Sequence, residues 1–254
     1  MPFLRLWPVY IEEVAPDYPG VVFMWATGED AMHDNVGIYD GRIYEAKYLA
    51  GMTAGAMTES DRIGFVAAMP VSQVIVGIDA FAKGVAEVNP EAEVYVEWAN
   101  AWYDPAAEAA AASALIDDGC DVIANHTDSY IPGQVADDNG VYYISLNSDF
   151  SRFAPNAFLT AAYYDWEPVM TDIVESVRDG TWDTQPGSDW WYGMADGVVQ
   201  LAPFSDLVPQ DVRDAVDARK AEIISGEFDV FDGMSEEEIR DIEYLEPNVV
   251  GELP

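Results

Sequence analysis

From residue 61 onward, short apolar runs alternate with longer stretches whose apolar positions recur every three or four residues. Arg62–Ala68 is an apolar run closed by Met69-Pro70. Ser72–Val88 places Val74, Ile78, Phe81 and Val85 on one helical face. Glu93–Trp98 alternates as a strand does, with Trp98 on its core side. Asp104-Pro105 then opens an alanine-rich helix, a carboxylate at the N-cap and proline at the first helical position. That helix runs to about Ile116, with Gly119 past its end. Val122–Ala124 is a buried strand that breaks abruptly into Asn125-His126-Thr127-Asp128-Ser129. Pro132–Asp138 reads as a helix ended by Gly140, and Val141–Leu146 as another buried strand. Strand–helix alternation of this kind specifies a parallel sheet with right-handed crossovers. Ligands of such sheets bind outside the carboxyl ends of the strands, so the 125–129 cluster is the leading candidate for a site.

Before residue 61 the same alphabet recurs in shorter form. Tyr10–Ala15 reads as helix, Val21–Ala26 as strand, Gly28–Asn35 as a polar loop and Gly41–Met57 as helix with Ile43, Tyr44, Tyr48, Leu49 and Met52 inward. After residue 150, Ala157–Tyr164 is extended and Pro168–Arg178 helical, with Gly180 past its end. A loop rich in tryptophan and glycine follows. Gln210–Ser225 is a helix ended by Gly226, and Ser235 with Glu238 forms a capping box for a last short helix. Each flank is too small to fold alone, which predicts an α/β protein of two lobes. Lobe one takes residues 1–60, about 166–190 and 228–254. Lobe two takes 61–164 and about 191–227. Crossovers fall near 59–62 and 163–167.

Half of the 254 residues are apolar, enough for a substantial core. The net charge of −36, from 47 acids against 11 bases, argues against nucleic acid as a partner, because no basic footprint exists to neutralise phosphates. The acids are spread along the chain, and lysine occurs only as Lys47, Lys83 and Lys220. This is the pattern of a halophilic protein's acidic surface, where salt screens self-repulsion. No segment has the length and apolar character of a membrane span. Met1–Tyr10 has no signal-peptide apolar region. Cys120 stands alone, so no intrachain disulfide forms, and it reads as a small core residue.

His126, Asp128, Asn147 and Asp149 terminate two strands. Acid–base or nucleophilic chemistry would need partners that are missing. No serine sits in a nucleophile elbow, and Cys120 lies at the opposite end of its strand. His33 and His126 lack metal-ligand spacing, and Gly51–Gly55 has no lysine–serine or lysine–threonine pair after it, so neither a metal nor a phosphate-bound cofactor is expected. That glycine pair, with Ala50 and Ala54, reads as a close helix contact. Hydrogen bonding to a ligand is the favoured role for the strand-end groups; simple turn capping by Asn, Asp and Ser is the plainer alternative. Of Trp102, Tyr103, Tyr163, Tyr164, Trp166, Trp190, Trp191 and Tyr192, several lie just after strands in loops, where aromatic rings suit a planar or sugar ligand. Any one alone reads first as core packing or a hinge wedge, and Trp102 is the better stacking candidate.

An ordered series of segments adds a further reading. Tyr48-Leu49-Ala50-Gly51, Arg62-Ile63-Gly64-Phe65-Val66, Trp102-Tyr103-Asp104-Pro105, His126-Thr127-Asp128-Ser129, Asn147-Ser148-Asp149, Asp196-Gly197-Val198-Val199 and Leu201-Ala202-Pro203-Phe204 follow one another. Together they resemble the BMP (basic membrane protein) family of ABC-transporter substrate-binding proteins, closest to its purine base and nucleoside branch. The resemblance implies a type I periplasmic-binding-protein fold of two Rossmann-like lobes closing on a ligand by a hinge. It implies a non-enzymatic carrier on the extracellular face of the membrane or in the periplasm, with a purine base or nucleoside as ligand and an ABC permease as partner. A lipid anchor outside this chain would be its only tie to the membrane. By the same resemblance Trp102 stacks on the purine, and His126, Asp128 and Asn147 hold its edge. Tyr164, Asp165 and Trp166 complete the wall. Tyr164 stands where nucleoside-binding relatives carry a lysine, which favours a free nucleobase. The family's first strands and helices have no counterpart before Tyr10, so an N-terminally truncated first lobe is expected. A ligand-sensing regulatory domain on the same fold, and more remotely a small α/β hydrolase using His126, are the alternatives.

Overall fold

The computed structural model describes residues 10–11, 13–28, 33–182, 190–242 and 245–253. The readings made above for residues 1–9, the middle of the 28–35 loop and residues 183–189 lie outside the described residues. The chain divides into two compact units, Met1–Arg42 with Tyr164–Val199, and Ile43–Tyr163 with Gln200–Pro254.

The larger unit is built on a sheet whose strands are β3 (Arg62–Ala67), β4 (Glu93–Trp98), β5 (Val122–His126), β6 (Tyr142–Leu146), β7 (Phe158–Tyr164), β9 (Val199–Leu201) and β10 (Val249–Val250). Their order is β10-β4-β3-β5-β6-β7-β9, and every pairing from β10 to β7 is parallel. After β3 the chain adds β4 on one side, then returns to add β5 on the other. The strand order therefore reverses between β3 and β5, where the register pairs Ala67 with His126. A crevice at the carboxyl ends of these two strands follows from that reversal.

Successive residues of a strand face opposite sides of a sheet, and β3 shows it. Phe65 meets Phe81 of α2 (Ser72–Val88) edge-to-face at 5.4 Å and lies under the ammonium of Lys47 from α1 (Ile43–Met57) at 4.8 Å. Val66 joins a separate cluster with Ala111, Ala112 and Leu115 of α3 (Pro105–Asp117), Ala136 of α4 (Ile131–Asn139), and Ile123 and Tyr143 of the neighbouring strands. Cys120 is buried in that cluster, as expected.

The expected inward residues of α1 and α2 are buried, but α1 is buried on almost every side, Glu45, Lys47 and Thr53 included. The reason is its approach to α2. A Cβ on Gly51 would lie 2.0 Å from the Phe81 carbonyl oxygen, and one on Gly84 would lie 2.0 Å from that of Tyr48. The glycines thus let two backbones touch, which confirms the close contact read from Gly51–Gly55.

The smaller unit carries a parallel three-stranded sheet, β1 (Phe23–Ala26), β2 (Val36–Gly41) and β8 (Trp191–Tyr192), in that order. Val169 and Ile173 of α5 (Glu167–Asp179) and Val198 form its small core, flanked by Met24, Tyr39, Tyr164, Trp166, Trp190 and Tyr192. The Asn35 side-chain amide donates to the carbonyls of Ala15, Tyr18 and Val21 at 2.9, 3.1 and 3.0 Å, pinning the segment that precedes β1. Ala15–Asp17 within it is a single 3-10 turn.

The lobe boundaries differ from those expected. Residues 43–60 belong with the larger unit because α1 is sealed against α2. Residues 228–254 do as well. β10 extends the sheet beside β4, Glu246 N donates to Asp79 at 2.9 Å, and the Trp98 indole donates to the Glu252 carbonyl at 3.0 Å. Residues 191–199 go instead to the smaller unit, where β8 pairs with β2 and Asp165 N donates to the Val198 carbonyl at 2.7 Å. The helices α6 (Gln210–Ser225), ended by Gly226, and α7 (Glu236–Arg240), with its Ser235–Glu238 capping box, stand as read.

The backbone contact makes a direct prediction. Gly84→Ala forces α1 and α2 apart and should cost about 3 kcal/mol or more. A Tm lowered by roughly 6–12 °C is expected; an unchanged thermal transition would show that the seam is not closed.

Candidate functional site

Strand β5 ends in groups that are held rather than left loose. Asn125 is fully buried, and its side chain is spent on structure. Its amide donates to the Thr127 carbonyl and hydroxyl at 3.1 and 3.0 Å, and its Oδ1 accepts from the Tyr143 hydroxyl at 2.9 Å. Thr127 and Ser129 are buried too, and both hydroxyls donate to one oxygen of Glu108, at 2.7 and 2.5 Å. The other oxygen of Glu108 accepts from Asp104 N at 3.0 Å. Asp104 caps α3 as expected, its Oδ1 accepting from Ala106 N and Ala107 N at 3.1 Å each. Asp128 N donates to the Trp102 carbonyl at 2.8 Å. The turn after β5 and the loop before α3 are thereby joined into one platform.

His126 stands on this platform, nearly buried, with its Nδ1 lacking a hydrogen-bond partner among the described residues. Gly77 of α2 leaves room for it, since a Cβ there would sit 3.2 Å from that Nδ1. Burial, and then the positive charge of Lys47, hold the imidazole well below its ordinary pKa, so it is neutral. Lys47 is itself buried and donates to the Asn125 carbonyl at 2.9 Å. Desolvation lowers its ammonium to about 7.

The accessible side of the platform is aromatic and polar. The half-buried Trp102 ring lies edge-to-face with His126, centroids 6.2 Å apart. Asp128 is exposed, yet partial desolvation and then Glu108 raise its carboxyl above the usual range. Asn147 follows β6 in the left-handed conformation, φ 60°, with its side chain exposed. Asn147 N donates to the Ala162 carbonyl at 2.8 Å, which fixes the turn and leaves the side-chain amide outside the backbone ladder. Asp149 is spent on its own turn, accepting from Ser151 N at 2.8 Å. Within the larger unit, then, Trp102, His126 and Asp128 are brought together, and Asn147 ends the strand beyond β5.

The remaining candidates lie in the smaller unit. Tyr164 and Trp166 stack on each other at 4.4 Å, Trp166 meets Tyr39 edge-to-face at 5.2 Å, and the Tyr164 hydroxyl donates to the Gly41 carbonyl at 3.3 Å. Asp165 is exposed and accepts from Glu167 N at 3.1 Å, serving the start of α5. These side chains have structural employment of their own.

Sequence reading did not single out Glu108, Lys47 or Tyr143. It also passed over an aromatic group in which Tyr130 stacks on Phe153 at 3.9 Å with Phe150 across both. A glutamate four residues after Asp104 and a lysine in an otherwise apolar helix were the available signals. Among the described residues, no group of three or more His, Cys, Asp or Glu is placed to hold a metal ion, and no helix is long and apolar enough to cross a membrane.

Lys47 supplies a test of this electrostatic picture. Its folded pKa lies below its unfolded one, so the unfolded chain binds more protons between about pH 7 and the ordinary lysine value, and stability rises with pH across that window. The Tm of the unaltered chain should rise from pH 7 to pH 9.5 relative to that of Lys47→Met. Parallel pH profiles for the two proteins would contradict a desolvated ammonium at this position.

Known proteins resemble the chain in sequence and in fold. The family model described as "ABC transporter substrate-binding protein PnrA-like" matches residues 9–232. A purine-binding protein of Brucella abortus is 41% identical over 221 residues, 87% of this chain and 62% of that protein. A protein of Haloferax volcanii, named provisionally as an ABC transporter glucose-binding protein, is 40% identical over 253 residues, 97% of this chain and 63% of that one. The chain thus spans somewhat under two thirds of the length of these relatives. A solute-binding protein of an ABC transporter system from Aeropyrum pernix superimposes with a TM-score of 0.74 at 17% identity, covering 92% of this chain and 77% of that one. A transcriptional activator of comK from Bacillus halodurans does so at 0.76 and 23%, covering 87% and 76%. The fold is the α/β type I periplasmic-binding fold, and the family is one of solute-binding proteins rather than enzymes. On its sequence and on its architecture, this chain belongs to the Bmp family of ABC-transporter substrate-binding proteins.

Proposed function

We propose that this chain binds a purine base such as adenine outside the cytoplasm and delivers it to an ABC permease. The observation that carries the reading is the Trp102 ring, half-buried and set edge-on to a neutral His126 at the strand-order reversal. An indole so placed offers a flat face to a heterocycle. The neutral imidazole, the Asp128 carboxyl and the Asn147 amide offer donors and acceptors without the cost of burying a net charge pair. Purine edges carry both kinds of group. Hinge closure on the ligand, implied by the family resemblance, is part of the same proposal, as are Tyr164, Asp165 and Trp166 as further ligand contacts.

The name of the Brucella relative supports a purine, whereas that of the Haloferax relative points to glucose. A pyranose also stacks on tryptophan, so the two ligands are tested together. In titration calorimetry the unaltered chain should bind adenine and not glucose. Trp102→Ala should weaken adenine binding roughly 10- to 100-fold, the loss of one base–aromatic stack. Unchanged adenine affinity in that variant would remove the stacking role, and glucose binding without adenine binding would remove the purine reading.

A further inference from the structure

Glu108 is fully buried, one turn into α3, and every bond it makes reaches toward the ligand-facing segments. Oε2 takes the Thr127 and Ser129 hydroxyls from the turn after β5, and Oε1 takes the Asp104 amide from the loop that carries Trp102. Among the described residues no basic side chain pairs with it; its side chain accepts from two hydroxyls and one backbone amide. A buried carboxylate held that way spends desolvation free energy on geometry alone, because leucine or methionine would fill the same volume more cheaply. Among the described residues, the turn and the loop also meet through the bond from Asp128 N to the Trp102 carbonyl and the edge-to-face contact of Trp102 with His126.

We infer that Glu108 is a positioning residue for the binding platform. It sets the height and tilt of Trp102 relative to His126 and Asp128 without touching the ligand. Only a carboxylate can do so, since it must accept on both oxygens. With its oxygen on Asp104 N, a glutamine would turn its NH2 toward two hydroxyls that already accept from the Asn125 amide and Ile131 N, leaving the hydroxyl protons without their acceptor. Thr127, Ser129 and Asp104 are thereby assigned a shared purpose, which is to present the residues between them.

The ligand half of this inference rests on the proposed purine reading, so the experiment has two arms. Glu108→Gln is compared with the unaltered chain and with Val85→Ala, which removes buried apolar volume from α2 and destabilises the same unit away from the platform. In the first arm, amide hydrogen exchange at Asp128 is measured without ligand. Glu108→Gln should speed it about tenfold or more, and Val85→Ala should do so only in step with its lower global stability. In the second arm, adenine affinity should fall about tenfold or more in Glu108→Gln and stay within about twofold in Val85→Ala. Exchange at Asp128 that tracks global stability alike in both variants would reduce Glu108 to a packing residue and overturn the inference. If the unaltered chain bound no adenine, the purine reading would fall, and the exchange arm alone would decide the positioning role.

Discussion

The meeting of two helix backbones organises the larger unit. Because Gly51 and Gly84 have no side chains, α1 and α2 approach until carbonyl oxygens occupy the space a Cβ would need. That approach buries α1 on nearly all sides, and Lys47 has no route to water. Its ammonium instead finds the Asn125 carbonyl at the last turn of β5 and the face of Phe65. Gly77, on the same helix as Gly84, leaves the space that His126 fills. A packing constraint is thus converted, through one lysine and one histidine, into the electrostatic character of the strand ends. Burial, with the Lys47 cation beside it and no polar partner at Nδ1 among the described residues, keeps the imidazole neutral.

On the other face of the sheet, the same strand ends are governed by a negative charge. Glu108 lies in α3 as Lys47 lies in α1, and each uses its charge on backbone and hydroxyl groups rather than on an opposite ion. Between them Asn125 is tied in three directions and contributes nothing outward. The surface presented to solvent is correspondingly spare. It includes the half-buried Trp102 indole, the Asp128 carboxyl and, beyond them, the Asn147 amide, with the nearly buried His126 imidazole beside the indole. Their neighbours are fixed by bonds that do not involve a ligand, which is the preorganisation a selective binding surface needs.

The sequence disclosed elements whose cause is local. The Asp104-Pro105 start of α3, the apolar face of α2 and the glycines at the ends of α4, α5 and α6 are written in short-range chemistry, and the structure has all of them. Elements with a remote cause were illegible. Strand β2 holds two glycines and reads weakly as a strand; Gly37 is there because Met24 crosses it, and Gly41 because the Tyr164 ring does. Strand β10 is only two residues long and exists because β4 offers an edge. The site divides in the same way. His126, Asp128 and Asn147 announce themselves as polar residues ending apolar runs. Glu108 looks like one solvated acid among many, and only the fold shows that it is buried under the turn it supports. The lobe boundaries failed for this reason too, since residues 43–60 and 228–254 are claimed by contacts far away in sequence.

In the function we propose, a purine base is held at the strand ends of the larger unit, around Trp102 and His126. Hydrogen–deuterium exchange of the whole chain with and without saturating adenine tests it directly. Slowed exchange confined mainly to residues 100–104, 126–130 and 147–149 is the predicted result. Adenine binding that leaves these three segments unprotected, or protects others instead, would contradict it.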